Sequence, residues 1–194
     1  RIVAVWGPVP VAVQRVGSQI EAISWMTAGG FSTAISAFTG QNYGAGKWDR
    51  IYKGYFTGLF LVSLVGIFAT LLLIFAGGPI FSIFLSEKEA LDIGVAYLKI
   101  LGYSQLFMCI EILTSGAFNG LGRTVPPSVI GIIFNALRIP AAIFLSSATS
   151  LGLDGVWWSI SVSSVFKGII LTTWFIGILT RCKKKTGTVV PNLI

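Results

Sequence analysis

The sequence predicts an all-α membrane protein, a bundle of five transmembrane helices preceded by the end of a sixth. Three observations carry this reading. Apolar residues fill 54% of the 194 positions and charged residues only 11%, against roughly 25% charged in soluble domains, so a water-facing surface cannot be furnished. The apolar residues fall into five runs, each long enough for the ~20 residues a spanning helix needs. The net charge of +7 is concentrated at the ends of those runs. That is the pattern of membrane topology, not of a nucleic-acid-binding surface.

The elements follow in order. Residues 1–10 read as the tail of an earlier span followed by a proline-containing turn. The first complete span covers 16–39. The second, 55–85, is long enough to tilt or to break near Gly77-Gly78-Pro79, where proline removes a backbone donor. The third, fourth and fifth cover 94–118, 126–148 and 156–180. Together they make one transmembrane unit over 1–180, with 181–194 as a polar, loosely ordered tail.

Orientation follows from the loops. Lys47, Arg50, Lys53, Arg123, Arg181, Lys183, Lys184 and Lys185 share one side, and only Arg1, Arg15 and Lys88 the other. Eight cations against three place the first group, and the C-terminus with it, in the cytoplasm. The protein is expected to be integral to a bacterial inner (plasma) membrane, with the lipid bilayer as its first partner.

Within the spans, small residues recur. Ser24, Ala28, Ser32 and Ser36 form a ridge at four-residue spacing, and Ser159, Ser161, Ser163 and Ser164 crowd the fifth span. Such residues let helices approach closely, and they also suit the wall of a polar cavity. Five ionisable groups lie inside the spans: Glu21, Lys99, Glu111, Arg138 and Lys167. Each costs about 2.5–3.5 kcal/mol at a helix centre. Their depths group Glu21 with Lys99, and Glu111 with Arg138 or Lys167. Glu21 shares a face with the small-residue ridge, Glu111 with Ser104, Met108 and Ser115, and Arg138 with Asn135. They are either neutralised pairs that fix helix register, or a polar pathway with a titratable carboxylate.

Other classes of function are excluded. There is no histidine, and Cys109 and Cys182 sit in unlike surroundings. No nucleophile–base set, metal cluster or cofactor motif appears, so neither an enzyme nor a bound cofactor or metal is expected. The loop GQNYGAGK at 40–47 is not a phosphate-binding loop: its first glycine is misplaced, and Trp48 stands where Ser or Thr would bind magnesium.

The same loop carries a resemblance. A span closing in GQNYGAGK (Gly40, Gln41, Asn42, Gly44, Gly46) and then Trp48-Asp49-Arg50-Ile51 resembles the eighth helix of the multidrug and toxic compound extrusion (MATE) transporters at its cytoplasmic end. GAFNGLGRT at 116–124, with Gly116, Asn119, Gly120 and Gly122, is similar to the family's motif at the end of the tenth. Asn135-Ala136-Leu137-Arg138-Ile139-Pro140 is similar to the eleventh.

The resemblance implies helices eight to twelve of a twelve-helix transporter, most of its C-terminal six-helix lobe, with the N-terminal lobe of the same protein as missing partner. It implies export of organic cations or amphiphilic drugs, small-molecule substrates, in exchange for protons or sodium by alternating access. The ion and substrate pathway candidates are then Glu111, Glu21, Arg138, Lys167, Ser115 and Asn135. Gly44, Gly46, Gly120 and Gly122 would give the loops sharp turns and backbone freedom. Three cations against two acids within the spans also suit a flippase for lipid-linked or other anionic substrates in the same superfamily. A non-transporting membrane scaffold is the third reading.

Overall fold

The computed structural model describes residues 2–85 and 87–187, the side chains of 183–187 excepted. Among them, one 3-10 turn, Val3–Trp6, precedes the first helix. Six α-helices follow: α1 (Pro8–Gly44), α2 (Trp48–Phe75), α3 (Gly77–Ser82), α4 (Lys88–Gly120), α5 (Val125–Ser147) and α6 (Leu153–Gly187).

Helix boundaries depart from the apolar runs where backbone chemistry overrides hydropathy. α1 begins at Pro8 and keeps Pro10 in its first turn, because the first amides of a helix have no internal acceptor to lose. The chain bends instead at Gly7, with φ of +100°. The long second run is broken: α2 ends with the Ala76 amide on Leu72 O at 2.8 Å, and α3 carries Pro79 in its first turn. α6 is helical to Gly187, past the boundary expected at 180. Residues 188–194 of the expected tail lie outside the described residues, as does Arg1.

α2, α4, α5 and α6 are each long and apolar enough to cross a membrane. α1, at 37 residues, is long enough but falls short in hydropathy, a departure from the expectation that all five runs qualify. The reason lies in its unpacked face. α2 exposes Phe60, Leu64, Ile67, Phe68, Leu71 and Phe75, and α5 exposes Ile132, Ile133, Leu137, Ile143 and Phe144, as lipid contact requires. α1 exposes Arg15, Ser18, Gln19, Thr27, Thr33 and Gln41, interspersed with Ile23, Trp25 and Met26.

α4 is the hub, packed against α1, α2, α3 and α6, while α5 packs mainly on α6. The core around it divides in two. One apolar cluster near the glycine-motif loops contains Ile35, Tyr55, Leu113, Phe118, Phe175 and Leu179. Another at the opposite end contains Val13, Leu73, Phe81, Tyr97, Leu98 and Trp157. Between them runs a buried polar band: Ser24 on α1, Ser104 and Gln105 on α4, and Ser159, Ser161, Ser163, Ser164 and Lys167 on α6.

Candidate functional site

The band ends at an ion pair. Lys167 Nζ donates to Glu111 Oε1 at 2.9 Å, joining α6 to α4, with the side chains 11% and 16% exposed. Glu111 Oε2 is buried without a hydrogen-bond partner. Arg138 reaches from α5 to hydroxyls instead: its Nε donates to Ser163 Oγ at 2.9 Å and its Nη2 to Ser164 Oγ at 3.5 Å. Of the two cations at matching depth, Lys167 forms the contact, because α6 lies directly on α4 while α5 lies behind α6.

Glu21 and Lys99 do not pair, which corrects the grouping by depth. Tyr97 is the residue that meets α1: its ring fills the space beside Gly17, and its hydroxyl faces the Glu21 carboxyl. Lys99 lies two positions on, roughly 200° around the helix, and is exposed. Ser115 is half-buried one turn beyond Glu111. Asn135 is exposed on α5 and is not drawn into the cluster with Arg138.

The two glycine motifs meet and share a construction. α1 ends with the Gly46 amide on Tyr43 O at 3.0 Å and the Lys47 amide on Asn42 O at 2.8 Å. α4 ends identically, with the Gly122 amide on Asn119 O at 2.9 Å and the Arg123 amide on Phe118 O at 3.0 Å. Both are Schellman caps, with the glycine in the left-handed region at φ of +68° and +70°. The shared string is G-x-G followed by a cation. Gly46→Ala or Gly122→Ala is therefore expected to cost about 1 kcal/mol each, read as a lower melting temperature of the purified protein. Asn42, buried, donates from Nδ2 to Phe38 O at 2.8 Å, whereas Gln41 and Asn119 are exposed.

Gly120 has a different role from the expected loop flexibility, and the motif residue Gly116 shares it. They lie inside α4, where it crosses α1. A Cβ at Gly116 would stand 2.3 Å from Ser32 O, and one at Gly120 2.4 Å from Ser36 O. Gly40 continues the same contact from α1, its own Cβ position 3.3 Å from Gly120 O. The ridge of Ser32 and Ser36 is thus a packing surface. Its far edge, with Thr33, Ala37, Gly116 and Asn119, also lines a shallow open depression.

A protein-family model described as MatE matches residues 1–144. The chain belongs to the MatE family. Among similar proteins, the probable multidrug resistance protein NorM of Thermotoga maritima is 28% identical over 176 residues, covering 90% of this chain and 38% of that protein. The human multidrug and toxin extrusion protein 1 is 25% identical over 164 residues, covering 84% of this chain and 29% of that protein. The MatE chain thus spans well under half the length of these relatives. Solved structures described as MATE in the bent conformation and as an outward-facing MATE family transporter of the MOP superfamily superpose with TM-scores of 0.86 and 0.84. Each is 19% identical; they cover 95% and 91% of this chain and 41% and 40% of their own, and the likeness is one of fold.

Three polar contacts in this MatE chain escape a reading of the sequence, because none involves a charge. Gln105 Nε2 donates to Ser24 Oγ at 2.9 Å, tying α4 to α1. The Tyr55 hydroxyl and Thr114 Oγ1 lie 2.9 Å apart, and Thr114 reaches Thr172 at 3.3 Å, tying α2, α4 and α6 together. A glutamine or threonine in an apolar run is a legible signal when read as interhelical bonding.

Proposed function

We propose that the complete protein is a secondary active exporter of organic cations or amphiphilic drugs, exchanging them for protons or sodium by alternating access, with Glu111 as the coupling carboxylate. The observation that carries this is the membrane-depth Glu111–Lys167 pair, whose second carboxylate oxygen is buried and unpartnered. A buried acid with one satisfied oxygen can exchange partners. When a cation neutralises Glu111, the attraction to Lys167 is lost, and the contact between α4 and α6 loosens. When the cation leaves, the pair reforms. One site thereby takes two packing states, as alternating access requires.

The unpacked face of α1 supports the same reading. Its polar residues suit an aqueous substrate cavity between this lobe and an N-terminal lobe of the same protein, and the interspersed Trp25 and Met26 suit an amphiphilic substrate. The names of the relatives, multidrug resistance and multidrug extrusion proteins, support the substrate class. The cation-rich motif loops support a cytoplasmic placement for them and for the C-terminus, in a bacterial inner membrane. Arg138, bonded to serines, keeps the excess of positive charge that an anionic substrate would favour. The engagement of Lys167 by Glu111 weighs against the flippase reading.

Glu111→Gln in the complete protein is expected to abolish gradient-driven efflux while expression is preserved, since the amide oxygen still accepts from Lys167. Efflux assayed in cells and in proteoliposomes, with proton and sodium gradients imposed separately, checks this and identifies the coupling ion. Unchanged efflux overturns the assignment.

A further inference from the structure

α1 and α2 are joined by the short turn after Gly44 and part from one another beyond it, because each is packed more extensively on α4 than on the other. Near the turn they touch, with the Phe38 ring over Gly54. Farther along, Gly66 brings α2 onto α4, where a Cβ would stand 2.9 Å from Leu106 Cα, and Gly17 brings α1 onto the Tyr97 ring. Close approach at these glycines draws both helices to α4 and leaves a gap between them. The gap is a cavity of about 400 Å³. Ile20, Ser24, Ala69 and Leu73 form its buried floor, and Ile23, Thr27, Phe68 and Leu72 its exposed rim. Ile80 of α3, past the far end of α2, bounds it on the side away from the glycine-motif loops.

The lining selects hydrocarbon. None of the residues around the cavity is ionisable, and its two hydroxyls are already spent. Ser24 Oγ donates to Glu21 O at 2.8 Å, and Thr27 Oγ1 to Ile23 O at 2.7 Å. A charged or polar group placed here gives up its hydration for nothing in return. A helix does not fit either. Over the roughly 11 Å that residues 20–27 rise, 400 Å³ makes a channel roughly 7 Å wide, against about 10–12 Å for a helix. The rim is continuous with the lipid-facing surface of α2, since Phe68 and Leu72 belong to both and are 66% and 41% exposed. Left empty, the cavity would deprive its walls of dispersion contacts.

We propose that this cavity is a binding site for one alkyl chain of a membrane lipid, which enters sideways past Ile23 and Phe68 and lies against Ser24 and Ala69. The chain takes the place of the contacts that α1 and α2 do not make with each other, and so sets their spacing in the half of the lobe away from the motif loops. The site rests only on α2 lying in the bilayer, not on the export reading above.

Photolabelling tests it. The complete protein is reconstituted in vesicles of phosphatidylethanolamine and phosphatidylglycerol that carry a mid-chain diazirine, and the labelled residues are read by mass spectrometry. Labels are expected on the floor residues Ser24, Ala69 and Leu73, which bulk lipid does not reach, as well as on Phe60 and Phe144, which it does. Ala69→Leu fills the floor with side-chain hydrocarbon and is expected to lose the floor labels while keeping those at Phe60 and Phe144. Thr27→Leu narrows the channel at its exposed rim without entering the core, and is expected to weaken the same labels. A wild-type floor that stays unlabelled while Phe60 and Phe144 are labelled refutes the site. If Phe68 and Leu72 are also unlabelled, another part of the complete protein covers the cavity, and the lipid assignment is likewise refuted. If excess tetraphenylphosphonium removes the floor labels, the cavity takes a lipophilic cation in place of a lipid chain, and the proposal is overturned.

Discussion

Replacing Lys167 by methionine is expected to destabilise the complete protein by about 3–5 kcal/mol, because Glu111 is left as an uncompensated buried charge. Methionine matches the length of the lysine stem and packs against the same neighbours, so the loss reports the charge rather than a cavity. Replacing both partners, as Glu111→Leu with Lys167→Met, is expected to recover most of that stability, since a matched apolar pair carries no desolvation cost. Thermal unfolding of the two single variants and the double variant closes the cycle. The same double variant separates two meanings of the pair. If it folds but no longer couples efflux to a gradient, the charges serve transport. If it exports at the wild-type rate, they only hold α4 and α6 in register, and the scaffold reading gains.

The site is partly legible from spacing because intramembrane charges are rare. Five ionisable residues in the spans already name the groups, and depth puts Glu111 level with two cations. What depth does not supply is azimuth. Tyr97 and Lys99 occupy nearly the same level, but a helix turns them to opposite sides, so the acid at Glu21 meets a phenol and not an ammonium. The choice of Lys167 over Arg138 likewise depends on α6 lying between α5 and α4, a packing order that hydropathy does not encode. Run length locates the helices, yet it treats α1 like its neighbours. The polar residues that distinguish α1, from Arg15 to Gln41, lower its mean hydropathy, a difference that run length ignores and that the unpacked face explains. The polar band is hidden for a related reason: Gln105 and Thr114 are uncharged, and their importance depends on burial that only the assembled core creates.

The motif glycines offer the second large effect, because residues of one motif class are expected to respond with opposite sign. At Gly116 an added methyl group would stand 2.3 Å from Ser32 O and 2.4 Å from Ser32 Oγ. The serine hydroxyl can rotate away, but the carbonyl belongs to the α1 backbone and cannot yield unless the two helices separate. Gly116→Ala is therefore expected to cost about 1–3 kcal/mol, and Gly120→Ala a similar amount. Gly44, the last residue of α1, has nothing within 4 Å of a Cβ. There alanine only restricts the unfolded chain and favours the helix, so Gly44→Ala is expected to be neutral or to stabilise by up to about 1 kcal/mol. Melting temperatures of the three variants, measured together, discriminate close packing from loop flexibility as the reason for these glycines. Flexibility predicts that Gly44, beside the turn, is the sensitive position. Packing predicts that it is the tolerant one, and that alanine at Gly116, one turn before the end of α4, is what forces α1 and α4 apart.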